Sequence, residues 1–273
     1  MEATIDILKE AANTIRKDIV QMVYQAKDGH PGPALSIADI VAALYYRLLK
    51  IDPKAPQWAD RDRLILSKGH ACPAVYSALA RRGFYSADLL PSLRALGSTL
   101  QGHPVMNKTP GIDMTSGSLG NGLSIGLGMA LAARYEKCDF KVFVIMGDGE
   151  IQEGVVWEGV SIAAKYNAGG LIVIVDQNGW QSGDTVAAVG GTTSLLPRFQ
   201  AFGWHCQEID GHDMQSIIDA VEKAKMEATR PSVIFAKTIK GKGIDFMEND
   251  NSWHKRVPTK EQYEAAMKQL EAF

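Results

Sequence analysis

An aspartate set between two glycines directly after an apolar run, in "KVFVIMGDG" (141–149), is the first place in this sequence where chemistry could sit. Acidic residues follow it, and the stretch "MGDGEIQEGVVWEG" (146–159) holds no lysine or arginine. Three readings are open: a phosphate cradle, a metal site, or a plain turn between strand and helix. The dinucleotide fingerprint G-x-G-x-x-G does not fit, because the third glycine, Gly154, comes two positions too late, and no P-loop lysine follows. A hard cation suits the pattern better. Magnesium takes one or two protein oxygens and completes its octahedron with phosphate oxygens and water. The flanking Gly147 and Gly149 would let backbone approach those phosphates. A second ligand then belongs at the end of the neighbouring strand. "LIVIVDQNGW" (171–180) supplies Asn178, 30 residues after Asp148, and one helix plus one strand fill that interval. Taken singly, "GDG" is an ordinary βα turn and Asn-Gly an ordinary turn. The pair at this spacing is more specific.

Both residues need elements to hold them. "KVFVIM" (141–146) and "LIVIVD" (171–176) are fully apolar strands, and "EGVVWEGVSIAAKYN" between them reads as a helix. That order is a βαβ unit with parallel strands. "RLILS" (63–67) is a short strand, and "WHCQEI", "MQSIIDAVEKAKMEA" and "SVIFAKT" give a further αβ passage. Helices are expected from Thr4 to Gln25, from Ser36 to about Lys50, after Pro73, and across the Gly- and Ala-rich "LGNGLSIGLGMALAARY" (119–135), whose bare backbone invites close approach. "GHPGPAL" is expected to break the first helix; "SIAD" (36–39) and Thr259 with Gln262 look like capping boxes. The sum is an α/β fold, a mainly parallel sheet with helices on both faces, over 1–273 as a single domain. Ligands of such sheets bind outside the carboxyl ends of the strands, where "GDG" lies.

Composition narrows the function. The chain has 273 residues, 46% hydrophobic, with a net charge of -2, so a nucleic-acid partner is disfavoured. Three separated cysteines make neither a disulfide framework nor a zinc set and suit a reducing, cytoplasmic setting. The N-terminus reads as an amphipathic helix rather than a signal peptide, and no apolar run reaches the roughly 18 residues of a membrane span, so no membrane partner is expected.

"GDG" with an Asn-containing pair about thirty residues on resembles the thiamine-diphosphate motif. From about residue 10 to 258 the sequence is similar to the N-terminal, diphosphate-binding domain of transketolase. "GHPG" (29–32), "RDRLILSKGH" (61–70), "GHP" (102–104), "GSLGNG" (117–122), "GDGEIQEG" (147–154), "DQNG" (176–179), "DGHD" (210–213), "KTIKGKG" (237–243) and "SWH" (252–254) fall in the family's order. Four of the six histidines occupy family positions, and three of those four sit beside glycine in short loops.

The resemblance implies roles. Asp148, the Asn178 side chain and the Trp180 backbone carbonyl would hold Mg²⁺ between the two phosphates of thiamine diphosphate. Gly149, His70 and His254 would contact the diphosphate, and Gly117, Ser118 and Leu119 would line the ring portion. His30, His103 and His254 would face the sugar as catalytic residues, hydrogen-bonding hydroxyls and shuttling protons near neutral pH. Glu153 matches a glutamate at the family's subunit contact, and the acidic residues after "GDG" are expected to touch a partner. His205 and His212 are expected to be structural. Three departures stand out: Gln177 where Asn or Asp is usual, Ser118 where many members have proline, and Lys255 where glycine follows the histidine.

In this family the glutamate that activates the cofactor comes from a pyrimidine-binding domain, which this sequence does not include; nor does it include the family's C-terminal domain. The expectation is therefore an N-terminal subunit of a split transketolase, active with a C-terminal partner subunit, most simply as α2β2. It would transfer a two-carbon ketol unit between sugar phosphates. The competing readings are a subunit of a 2-oxo-acid dehydrogenase or deoxyxylulose phosphate synthase, or a non-catalytic cofactor-binding subunit.

Overall fold

The computed structural model describes residues 3–191 and 194–272. In chain order it contains α1 (Ile5–Ala26), α2 (Pro31–Leu35), α3 (Ala38–Ala43), β1 (Arg63–Leu66), α4 (Cys72–Arg82) and α5 (Asn121–Tyr135). Then follow β2 (Val142–Gly147), α6 (Gly154–Lys165), β3 (Leu171–Gln177), α7 (Val186–Gly190), α8 (Leu196–Ala201), β4 (His205–Asp210), α9 (Met214–Met226), β5 (Ser232–Lys237) and α10 (Lys260–Glu271). The five strands form one sheet of order β1-β2-β3-β5-β4, every pair parallel. The expected α/β architecture is therefore present.

The strand sequences explain the sheet. β2 and β3 lie inside it and are buried on both faces, so they read as unbroken apolar runs. Successive side chains point to opposite faces. Phe143, Ile145, Ile172 and Ile174 enter a core shared with α1, α3, α4 and α9. Val142, Val144, Met146, Val173 and Val175 enter the core under α5, α6 and α8. The edge strand β4 is half exposed along most of its length, in keeping with its polar sequence. No helix among the described residues is long and apolar enough to cross a membrane.

Two local expectations need correction. "GHPGPAL" does end α1, but Pro31 to Leu35 form the short helix α2, with proline in its first turn, where a missing N–H costs nothing. The "SIAD" capping box does not form: α3 starts after Ile37 with no side-chain cap. Ser36 is fully buried, and its hydroxyl donates to the Asp176 carboxylate at 2.7 Å, while Asp39 is taken by Arg16. Tertiary partners thus outcompete the local cap. The second box does form, Gln262 N donating to Thr259 Oγ1 at 3.2 Å and Thr259 N to Gln262 Oε1 at 3.0 Å.

The bare backbone of α5 is used against the sheet. A Cβ on Gly122 would lie 2.4 Å from that of Ser67, just past β1, so the helix start packs on the strand end only because the side chain is missing. The register completes the frame: Gly147 is level with Asp176, and Gln177 with Lys237. The loops after β2, β3 and β5 therefore leave the same edge of the sheet side by side.

Candidate active site

At that edge the two halves of the acidic motif meet. Asp148, 3% exposed, accepts from Gly149 N at 2.8 Å on one oxygen and from Gly179 N at 2.7 Å on the other. Gly179 has φ +79°, a left-handed value that glycine adopts without strain, and this turns its N–H towards the aspartate. Asn178 Oδ1 accepts from Trp180 N at 3.0 Å, closing a local Asx-type turn. Its amide nitrogen donates to Asp176 Oδ2 at 2.7 Å.

Asp176 is the hub beneath. Fully buried at the end of β3, it takes donors from four places: Ser36 before α3, Lys68 after β1, Asn178 on its own loop, and Thr238 after β5. Burial opposes its ionisation, but the Lys68 ammonium beside it holds its carboxyl below the usual range. Lys68 is itself 2% exposed, so this is a desolvated ion pair with its remaining lone pairs satisfied.

A second buried carboxylate sets the neighbouring loop. Glu150 accepts from Gly120 N at 2.7 Å, Gly147 N at 3.0 Å and the Ser67 hydroxyl, while Ser67 Oγ accepts from Gly122 N at 3.2 Å. It thereby ties the 117–122 loop to the ends of β1 and β2. For Glu150 this corrects the expectation that the acids after "GDG" face a partner, because it is buried and bonded within the chain. Glu153 is exposed at the rim.

The histidines converge on the same cleft, which has a volume of about 470 Å³. His30, His70 and His254 form a triangle with ring centroids 5.2 to 5.6 Å apart. His103 also lines it, together with Gly117, Leu119, Asp148, Asn178 and Trp180. Ser118 is exposed and outside the wall, between two residues that line it. Burial, aided by the nearby Arg94 charge, pushes His30 down to about 4. Burial and the Lys240 ammonium push His254 to about 3; burial and Lys68 hold His70 well below its usual value. His103 is lowered by burial and Arg94. All four are neutral at pH 7, so they offer one donor and one acceptor each rather than a positive charge. Lys255 is exposed at the rim with its Nζ 3.8 Å from Asp28 Oδ1.

His212 and His205 lie apart from the cleft. His212 Nδ1 meets Asp39 Oδ2 at 2.7 Å, and its Nε2 accepts from Ile239 N at 2.9 Å, anchoring the loop after β5. His205 meets Ser232 Oγ at 3.1 Å.

The cleft carries features that fit a metal-bound diphosphate. Burial and the Asp176 charge push Asp148 up to about 7, so a cation in contact would favour its charged form strongly. His30 Nδ1 is buried with no hydrogen-bond partner among the described residues. Among the described residues no three His, Cys, Asp or Glu side chains group as a metal cage. The donors here are oxygens, one carboxylate and one amide with backbone beside them. Such a set suits Mg²⁺ completed by ligand oxygens and not a self-sufficient zinc site.

A family model described as "Transketolase, thiamine diphosphate binding domain" matches residues 7–271. The chain belongs to the transketolase family. Among similar transketolase proteins, "6-deoxy-6-sulfo-D-fructose transketolase subunit SqwG" of a Clostridium species is 43% identical, covering 99% of this chain and 98% of that protein. One of the separate subunits of the apulose-4-phosphate transketolase of Phocaeicola vulgatus is 38% identical over 97% and 94%. The crystal structure of transketolase from Campylobacter jejuni superposes with a TM-score of 0.93 at 35% identity, covering 98% of this chain and 43% of that one.

Within this transketolase domain, sequence reasoning placed the residues that line the cleft but missed those that build it. Lys68, Asp176 and Lys240 went unassigned and Glu150 was taken for a partner contact, although each is 4% exposed or less. One signal was available: Asp176 directly follows the apolar run 171–175 and Lys68 stands two residues past the run 64–66, at strand ends where only a paired charge is tolerated.

Proposed function

We propose that this chain is the N-terminal, thiamine-diphosphate-binding subunit of a two-subunit transketolase, covering 1–273 as one domain. The observation that carries the reading is the Asp148–Gly179 bridge, which sets Asp148 beside Asn178 at the head of a cleft lined by four histidines. The end-to-end match to proteins named as separate transketolase subunits supports the split form. Asp148, Asn178 Oδ1 and the Trp180 carbonyl hold Mg²⁺. His70, His254 and Gly149 bind the diphosphate, and Gly117, Ser118 and Leu119 lie along the ring portion. When bound, thiamine diphosphate supplies the electron sink for cleaving the ketose carbon–carbon bond. This chain's share is to orient the cofactor and to bind the sugar. His30 and His103, neutral at pH 7, donate to or accept from its hydroxyls, and either can take up a proton at a free ring nitrogen.

The substrates in this reading are a ketose donor and an aldose acceptor bearing an anionic group, the class to which the names of the relatives point. A second subunit brings the pyrimidine-binding and C-terminal domains, with Glu153 at the contact, as an α2β2 assembly in the cytoplasm. Calorimetric titration with thiamine diphosphate, with and without Mg²⁺ and partner, tests the cofactor reading: metal-dependent binding is expected. Ketol transfer should appear only when the partner subunit is added, and strong turnover by the chain alone would sink the split reading.

A further inference from the structure

Three charged side chains stand together at the mouth of the cleft, and each is joined to a loop that carries one of the histidines His30, His103 and His254. Asp28 lies two residues before His30, and Lys255 directly follows His254. Arg94 reaches the third loop. A Cβ on Gly102, next to His103, would lie 2.5 Å from Arg94 Cζ, so the guanidinium takes the space that a side chain there would fill. Arg94 Nη1 donates to Asp28 Oδ2 at 2.9 Å, and Lys255 Nζ is 3.8 Å from Asp28 Oδ1. Arg94 has φ +61°, a left-handed value that is unfavourable for a residue with a Cβ, and such strain persists where one placement of a side chain matters.

The charges do not balance. One carboxylate faces two cations, which leaves one positive charge in excess. Neighbouring cations turn elsewhere: Lys27 Nζ lies over the Tyr24 ring at 3.8 Å, and the Arg256 guanidinium over the Trp253 ring at 4.7 Å. Lys255 is the looser partner of the three. Its side chain is 60% exposed, 3.8 Å is too long for a hydrogen bond, and among the described residues no protein acceptor receives one from it. Exposed pairs of this kind add little to stability. A latch built only to hold the loops would need no second cation and would bring this one closer. Both cations act through charge on the His30 ring, so their fields reach into the cleft.

We infer that Arg94, Asp28 and Lys255 form an anion-reading mouth, in which Lys255 is a specificity-determining residue that donates to a tetrahedral oxyanion, phosphate or sulfonate, at the far end of the sugar. The sugar rests on the function proposed above. Arg94 and Asp28 hold the frame, Lys255 supplies the unspent donors, and Asp28 limits the positive charge that the mouth presents. This is the present chain's own contribution, whatever the second subunit adds.

The test assembles the chain with its partner subunit, thiamine diphosphate and Mg²⁺, and compares fructose 6-phosphate, 6-deoxy-6-sulfofructose and fructose as donors. The side chains of Lys255 and Asp28 are 60% and 43% exposed, so variants at both should fold. Lys255→Met should lower kcat/KM for the two anionic donors about tenfold more than for fructose, mainly through KM, and Lys255→Arg should keep the wild-type preference. Asp28→Asn should move the preference the other way, towards the anionic donors. An effect confined to one anionic donor assigns the mouth to that head group. Losses alike for all three donors, or running in the same direction in Lys255→Met and Asp28→Asn, mark a structural latch and overturn the inference. If no donor turns over, the function proposed above fails, and the chain alone decides. Its amides at 28–30, 102–103 and 254–256 should shift with fructose 6-phosphate, with an affinity about tenfold weaker in Lys255→Met. Shifts matched by fructose, or unmoved by that substitution, overturn the anion-reading mouth.

Discussion

The backbone N–H of Gly179 donates to Asp148 Oδ2 at 2.7 Å, across 31 residues of sequence. The loops after β2 and β3 are thus bonded directly to each other. Asp148 is at once a prospective ligand and a tie between the β2 and β3 loops.

This double role changes what substitution should do. Asp148→Ala leaves two backbone N–H groups without their acceptor, which costs about 1–3 kcal/mol, partly offset because a buried charge also disappears. The melting temperature of the free chain should fall by a few degrees at most. The further rise on adding Mg²⁺ with thiamine diphosphate should vanish. A metal-dependent rise that survives in Asp148→Ala would remove Asp148 from the ligand set.

Lys68 and Asp176 should behave as one unit. Removing either partner strands a buried charge, and Lys68→Met or Asp176→Asn alone should cost about 3–5 kcal/mol. The double variant should cost clearly less than the sum, since neither charge is left alone. Urea denaturation of the four proteins in the cycle measures this, and simple additivity would contradict the pairing.

The histidine cleft should make the chain sensitive to acid. His30 is lowered to about 4 and His254 to about 3, both by burial first. Above about pH 6.5 these rings are neutral in folded and unfolded chain alike, and they add no pH dependence. As pH falls below 6.5 the unfolded chain binds protons that the folded chain refuses, so stability drops until the folded values are passed. Melting temperatures should decline from pH 6.5 towards pH 4, and His30→Gln should flatten part of that slope. Scanning calorimetry across the range checks the sign.

Glu150 should control the loop in front of α5. Glu150→Ala removes the acceptor of Gly120 N and Gly147 N. Hydrogen exchange at those two amides should quicken by tenfold or more, with the amides in the middle of β3 unchanged. Equal acceleration throughout the sheet would mean that the carboxylate supports the whole fold and not the loop.

The pairing of β2 with β3 and the position of the cleft were legible because both strands are unbroken apolar runs, and because one helix plus one strand accounts for the distance from Asp148 to Asn178. The loop histidines were legible from their glycine neighbours and from the order of the motifs. The helix in "GHPGPAL" was not, since its residues form a helix only when packed all round; every one of Pro31 to Leu35 is buried. The hub was hidden for another reason. Lys68 and Asp176 are 108 residues apart, and Ser36 and Asp176 140. Nothing local in Ser36 distinguishes a cap from a donor to a distant carboxylate. Glu150 was misread because an acid next to glycines looks exposed until three donors are found around it.

Asp176 has a consequence for how this cleft can be altered. Segments before α3 and after β1, β3 and β5 each place one donor on the same carboxylate. None of the four can be replaced by a segment that lacks its donor without vacating a seat at a shared table. Recombining this chain with a homologue that differs at one of these donors should therefore succeed when the four segments travel as a set and fail when that one is moved by itself, whatever the overall similarity of the parents.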